Sequence, residues 1–210
     1  MRYSEIKEEY RKDGTYLIRA MTYEQKLAEE SPDTLKGSFT KDLVNSKKWL
    51  CEKIKTIAGN RNLGNIYVLG SWYGILGVFL QDSGVNFDTL ILVELDKKLL
   101  DKSKLLLKDL YDQNKLELIN TDATQMSFKK PCVIINCSTN EMNKDWLKNI
   151  PSKSLVCIQG RNNIKPIITK TVNLDHFDKQ FPLSKTLYIG SRTYKDPTDV
   201  YVRFLKIGIT

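Results

Sequence analysis

The stretch Ile66-Tyr67-Val68-Leu69-Gly70-Ser71-Trp72-Tyr73-Gly74-Ile75-Leu76-Gly77 decides how this chain folds. A short apolar run ends in a glycine, turns, meets a second glycine and resumes as an apolar segment with helical character. Glycines suit such a turn because the backbone must bend sharply and approach a ligand with no Cβ in the way. The helix that follows offers free N–H groups at its start. By itself a glycine-bearing turn is a weak signal, and its weight comes from its neighbours.

Four further β-type runs follow: Thr89 to Val93, Leu116 to Ile119, Cys132 to Ile135 and Ser154 to Ile158. Helix-compatible stretches separate them, notably Asp96 to Tyr111 with its leucine face and Asn140 to Asn149. Apolar strands alternating with helices predict a parallel sheet with right-handed crossovers. Lys185 to Gly190 and Val200 to Gly208 break the rhythm, since the Ser191 to Thr198 link is too short for a crossover helix and reads as a hairpin loop. The prediction is an α/β fold with a seven-stranded sheet, five strands parallel and a C-terminal antiparallel hairpin, helices on both faces, over residues 61–210.

Upstream, Phe39, Leu43, Trp49, Leu50, Ile54 and Ile57 recur near helical spacing among lysines, with a break at Ser31-Pro32-Asp33. Residues 1–60 therefore read as a helical extension leading into one compact domain.

About 20 residues beyond the turn the second strand ends in Glu94, where a carboxylate accepts hydrogen bonds from a ribose diol in nucleotide-binding units. Alone it reads equally as a strand-end charge, and Asp96 reads as the N-cap of the next helix. After the third strand, Asp122 stands on a loop before Ala123; its plain alternative is the cap of a short turn. Beyond the fourth strand comes Asn136-Cys137-Ser138-Thr139-Asn140-Glu141-Met142, and beyond the fifth Gln159-Gly160-Arg161-Asn162-Asn163.

This layout resembles the class I S-adenosylmethionine-dependent methyltransferase superfamily, with its Rossmann-like fold. Within it, the Trp72-Tyr73-Gly74 turn, the Asn136 to Met142 segment and Gln159 with Asn162-Asn163 resemble a methyltransferase-like group frequent in marine phages and bacteria. The likeness covers roughly residues 46–208. It implies S-adenosyl-L-methionine as cofactor, held by Gly70, Ser71, Trp72, Gly74, Glu94, Asp122, Ala123 and Asn136, with Asp122 receiving the adenine amino group and the Ala123 N–H serving a ring nitrogen. The chain departs from the superfamily pattern where Val68 takes the usual acidic place and Trp72 that of the middle glycine. Glu141 is a candidate substitute for the missing carboxylate, and Trp72 reads equally as a packing residue.

Methyl transfer needs alignment of acceptor and methyl, exclusion of water and removal of a proton where the acceptor demands it. Asn136 and Ser138 are candidate hydrogen-bonding groups for the chemistry and Glu141 the candidate base, or the cap of a following helix. The Asn136 segment lacks the Pro-Pro-aromatic of amino-methylating DNA enzymes, and Cys137 lacks the proline that accompanies a cytosine C5 thiolate. Acceptor contacts are expected from Tyr73, Gln159, Arg161 and Asn162, and from Arg192, Tyr194 and Lys195 on the hairpin loop, with Lys165 nearby.

Of the net charge of +8, six units lie in residues 151–210, which hold 10 basic and 4 acidic side chains. A basic cleft suits an anionic acceptor, a small molecule or a nucleic acid; a solvated basic face is the plain alternative. Cys51, Cys132, Cys137 and Cys157 show no C-x-x-C spacing and read as free thiols, and His176 stands apart from them, so no metal site is expected. No apolar run approaches the roughly 18 residues of a membrane span, and no signal-peptide core precedes the domain, so the expected location is cytoplasmic, without membrane partners. The readings that compete with methyl transfer are a catalytically silent binding or regulatory protein and transfer of the aminocarboxypropyl arm of the same cofactor.

Overall fold

Strand β1 (Asn65–Leu69) sits at the middle of a sheet ordered β3-β2-β1-β4-β5-β7-β6, in a computed structural model that describes residues 40–163, 168–195 and 200–210. β2 (Thr89–Glu94), β3 (Leu116–Asn120), β4 (Val133–Asn136) and β5 (Leu155–Arg161) run parallel to it. β7 (Val200–Ile209) lies antiparallel to both β5 and the edge strand β6 (Lys185–Lys195). The seven-stranded sheet with its antiparallel hairpin is the predicted one. The order of strands reverses between β1 and β4, and in open α/β sheets ligands bind beyond the carboxyl ends of the strands at such a point.

Alternation along the strands builds two cores. Ile66 and Val68, Leu90 and Leu92, Val133 and Ile135, and Leu205 and Ile207 pack on one face. Helices α1 (Lys41–Ala58), α2 (Ile75–Asp82), α3 (Lys97–Leu106) and α4 (Lys108–Asp112) cover that face. The opposite face has a thinner cover: two 3₁₀ turns, Ala123–Gln125 and Lys144–Asn149, and α5 (Leu174–Gln180). An aromatic cluster seals it, with Phe177 centred 5.2 Å from Phe181 and stacked at 5.5 Å on Phe204, and Trp146 against Phe181.

α1 carries a stripe of Val44, Leu50, Cys51 and Ile54 that is buried entirely. Thr40 caps its start by accepting from the Leu43 N–H, and Gly59 ends it at φ 62°. Although α1 precedes β1 in sequence, it packs beside α2 and against β5, β6 and β7. The Trp49 Nε1–H reaches the Tyr188 hydroxyl on β6, and the Gln159 amide of β5 joins Ser46 and Lys47. The helical pattern predicted upstream of it, including Phe39 and the Ser31-Pro32-Asp33 break, lies outside the described residues.

Three predicted elements differ. The Asp96 to Tyr111 helix is two helices broken at Leu107, whose φ of −110° and ψ of 35° leave the α region. Leu106, Leu107 and Leu110 on either side of the break are all buried. Asp96 is the N-cap of the first, accepting from the Lys98 N–H at 2.8 Å. Asn140 to Asn149 forms only the Lys144–Asn149 3₁₀ turn, because its asparagines bond elsewhere: Asn140 bridges to Thr169 and Arg161, and Asn143 caps Asp145. The hairpin loop is shorter than predicted, since β6 continues through Arg192, Tyr194 and Lys195. Cross-strand pairing with Arg203, Tyr201 and Val200 extends it.

All four cysteines are free thiols. Among the described residues no group of three or more His, Cys, Asp or Glu is gathered as a metal site, and no helix is long and apolar enough to cross a membrane.

Candidate functional site

A cavity of about 1380 Å³ opens beyond the carboxyl ends of β1, β2, β4 and β5, roofed on one side by the first turns of α1. Its floor is the β1–α2 turn. Gly70 and Gly74 hold φ of 62° and 82°, a region that costs other residues roughly 1–2 kcal/mol. At Gly70 space is short as well: a Cβ there would stand 2.8 Å from the Ser138 Cβ. Ser138 closes on the turn from β4, its Oγ–H donating to the Gly70 carbonyl at 3.1 Å.

Trp72 also has a left-handed backbone, φ 55°, without being a glycine. What holds it is Glu94, whose Oε2 accepts the Trp72 N–H at 2.7 Å. The other carboxylate oxygen accepts from the Leu95 and Asp96 N–H groups at 2.9 and 3.1 Å. Glu94 therefore fastens the end of β2 to the turn after β1, and it still faces the cavity. With three donors on two oxygens it keeps lone-pair capacity on Oε2.

Asp122 lines the same end of the cavity. Its Oδ1 caps the following 3₁₀ turn, accepting from the Thr124 N–H and hydroxyl at 2.8 Å each. Oδ2 takes no part in that cap. Ala123 is buried beside it and also lines the cavity.

Several predicted residues stand elsewhere. Asn136 is fully buried, its Oδ1 accepting from the Ser138 N–H at 2.9 Å and its Nδ2–H donating to the Met142 sulfur at 3.2 Å. It shapes the β4 loop, while Ser138, Glu141 and Met142 of that loop reach the cavity. Gln159 is likewise fully buried; its Oε1 accepts from Lys47 Nζ at 3.2 Å and its Nε2–H donates to the Ser46 carbonyl at 3.1 Å, so it ties α1 to β5. Tyr73 is a core residue packed on Trp72, and Gly74 is the N-cap of α2, its missing Cβ making room for Leu92. Asn162 exchanges bonds with the Val202 backbone.

On the hairpin, Tyr194 is buried by stacking on Tyr201, and Arg192 lies over the Trp49 ring with its centre 4.9 Å away. These positions follow from the longer β6, which fixes side chains that a loop would have left at the rim. Of the three hairpin residues only Lys195 lines the cavity. Lys165 lies outside the described residues.

Gly70, Ser71, Trp72, Glu94, Asp122, Ala123, Ser138, Glu141, Arg161 and Lys195 are thus brought together. Sequence reading missed Lys47, Tyr201 and Arg203, which also line the cavity. The signals exist: Lys47 stands between Leu43 and Leu50 on the apolar stripe of α1, and Arg203 interrupts the buried run of β7.

Charge in the cavity is uneven. Glu94 and Asp122 stand at the β2–β3 end, and Lys47, Arg161 and Arg203 at the α1–β5–β7 end, with Asp42 of α1 and Glu141 of the β4 loop also in the lining. Burial, and then the neighbouring Arg203, lower the pKa of the Arg161 guanidinium; Tyr201 and Glu141 act the other way.

No protein-family model matches this sequence. A search among curated proteins gives no match either. Solved structures do resemble it. The N-methyltransferase NodS from Bradyrhizobium japonicum WM9, in complex with S-adenosyl-L-homocysteine, superposes with a TM-score of 0.61 at 7% identity, over 89% of this chain and 98% of that one. Cofactor-bound Rv0187 from MTB gives 0.59 at 11% identity, over 93% and 90%. At these identities the likeness is one of fold alone, a Rossmann-like α/β architecture with a seven-stranded sheet.

Proposed function

We propose that this chain is an S-adenosylmethionine-dependent methyltransferase. The observation that carries the proposal is the convergence of the Gly70–Gly74 turn, Glu94 and Asp122 on one cavity at the strand-order reversal. A cavity of about 1380 Å³ exceeds the usual 300–1,000 Å³ of a single-ligand pocket and has room for a cofactor and an acceptor together.

S-adenosylmethionine, when bound, supplies an electrophilic methyl group on a sulfonium. The residues present fit that molecule. Backbone at Gly70 and Ser71 comes close without side-chain bulk, Glu94 Oε2 has capacity for a ribose hydroxyl, Asp122 Oδ2 for an adenine amino group, and the Ala123 N–H for a ring nitrogen. Trp72 walls the turn side. On the acceptor side Glu141 is exposed at the rim and takes the proton that a neutral nucleophile must lose, while Ser138 locks the β4 loop onto the turn. Asn136 is a positioning residue that acts through Ser138 and Met142.

Calorimetric titration with S-adenosylmethionine and S-adenosylhomocysteine tests this directly. Micromolar binding supports the reading; no binding at millimolar ligand by folded protein refutes it. One observation favours a second reading, a catalytically silent binding protein: Val68 and Trp72 replace the acidic and glycine residues of the common turn. Formation of S-adenosylhomocysteine in the presence of an acceptor argues against silence, and methylthioadenosine would mark aminocarboxypropyl transfer instead.

A further inference from the structure

The β5–β7 end of the cavity holds two arginines in an arrangement that folding alone does not favour. Arg161 and Arg203 are direct cross-strand partners in the antiparallel β5–β7 pair, so their side chains leave the sheet on the same face. Like charges directly opposite each other in a ladder are destabilising. Arg203 is only 7% exposed. The Nε atoms of both are buried and have no hydrogen-bond partner, and no acidic residue among the described ones forms an ion pair with either. The Tyr201 ring gives both guanidiniums partial compensation, at 5.4 and 5.5 Å from its centroid, but it carries no charge to neutralise them.

A third cation reinforces the pair. Lys47 is 6% exposed and lines the same cavity, and its Nζ is held by a neutral acceptor, the Gln159 Oε1 at 3.2 Å. Elsewhere this protein does provide counter-charges for a buried cation. Lys206, 3% exposed, meets Asp178 at 2.6 Å and the Phe181 carbonyl at 2.7 Å. Lys206 thus has an ion-pair partner, whereas among the described residues Lys47, Arg161 and Arg203 have none, and Arg161 has only the Tyr201 side chain and the more distant Glu141 to offset its charge.

We infer that Arg161 and Arg203, with Lys47, form a recessed site for one carboxylate or phosphate group of a small-molecule methyl acceptor. The fork of an arginine matches either oxyanion, and buried donors act in a medium of low dielectric. A nucleic-acid backbone is disfavoured: it is a line of phosphates and needs an exposed stripe of cations, whereas Lys47 and Arg203 are buried and Arg161 is partly buried beside them. That the anion belongs to a methyl acceptor rests on the methyltransferase reading; the anion site itself does not.

The test uses the full chain, with inorganic phosphate and acetate as separate probes at constant ionic strength, read by calorimetry and by thermal shift. Saturable binding of at least one probe is expected, weakened about tenfold or more in Arg203→Met and in Arg161→Gln. Phosphate alone assigns a phosphorylated acceptor, acetate alone a carboxylated one. S-adenosylmethionine titrated into the same proteins keeps the two readings apart, because a cofactor failure leaves the anion result standing. Binding of neither probe overturns the proposal, as does unchanged affinity in both variants. Tight, salt-sensitive binding of a short oligonucleotide without binding of the free anions overturns it in favour of nucleic acid. Should Arg203→Met fold poorly, Arg161→Gln, at the more exposed position, gives the same decision.

Discussion

Glu94→Gln separates two roles that one carboxylate combines. The wild-type side chain accepts three backbone N–H bonds on two oxygens, from Trp72 on one and from Leu95 and Asp96 on the other. A glutamine keeps one acceptor and puts an NH₂ in place of the second, so one of those two sets faces a donor whichever way the amide turns. The loss of a charge-assisted bond costs about 1.5–3 kcal/mol, and the left-handed backbone at Trp72 loses its restraint. With a urea slope of about 2–3 kcal/mol per molar, the unfolding midpoint falls by roughly 0.5–1.5 M. The assay is equilibrium unfolding by tryptophan fluorescence, without any ligand. A midpoint within about 0.2 M of the parent at equal slope would falsify the structural role and leave Glu94 as a ligand group only.

Gln159→Leu removes both ends of the α1–β5 link, stranding Lys47 Nζ and the Ser46 carbonyl; a stability loss of about 1–3 kcal/mol in urea is expected, and an unchanged midpoint contradicts the link. Gly70→Ala combines a φ of 62° with a Cβ only 2.8 Å from Ser138; it should displace the β4 loop and weaken cofactor binding at least tenfold, whereas wild-type affinity shows that the turn has slack. Burial raises the pKa of the Cys51 and Cys157 thiols. The folded state therefore keeps protons that the unfolded chain releases above about pH 8.5, and stability is present below that pH and lost above it, by up to roughly 1.4 kcal/mol per pH unit for each thiol. The pair Cys51→Ala/Cys157→Ala should show a shallower decline between pH 8.5 and 10 than the parent, and equal slopes sink the assignment.

The sheet was legible because β1, β2, β4 and β5 are short apolar runs bounded by turn residues, while the edge strand β3 shows through the alternation of Leu116, Glu117 and Leu118. The β1–α2 turn and Glu94 were legible because strand length and crossover length fix their spacing. Less visible was whatever depends on pairing between distant segments. Asn136 and Gln159 look like open polar groups in sequence; their partners, Met142 and Ser138 for one and Ser46 and Lys47 for the other, appear only when the loop closes and α1 docks. Tyr194 is drawn inward because β7 offers Tyr201 opposite it, a matter of register that no local pattern encodes. Arg203 was hidden for the converse reason, since one charge in an apolar strand reads as an outward residue until its ladder partner is known.

The docking of α1 on the β5–β7 half of the sheet has a consequence for synthesis. Its two side-chain ties reach across 112 residues to Gln159 and 139 residues to Tyr188. A ribosome adding about 5–20 residues per second needs roughly 7–30 s to deliver that surface after α1 has emerged. Through that interval the stripe of Val44, Leu50 and Ile54 has no sheet to lie on, and the nascent chain is then most open to chaperone capture or to aggregation.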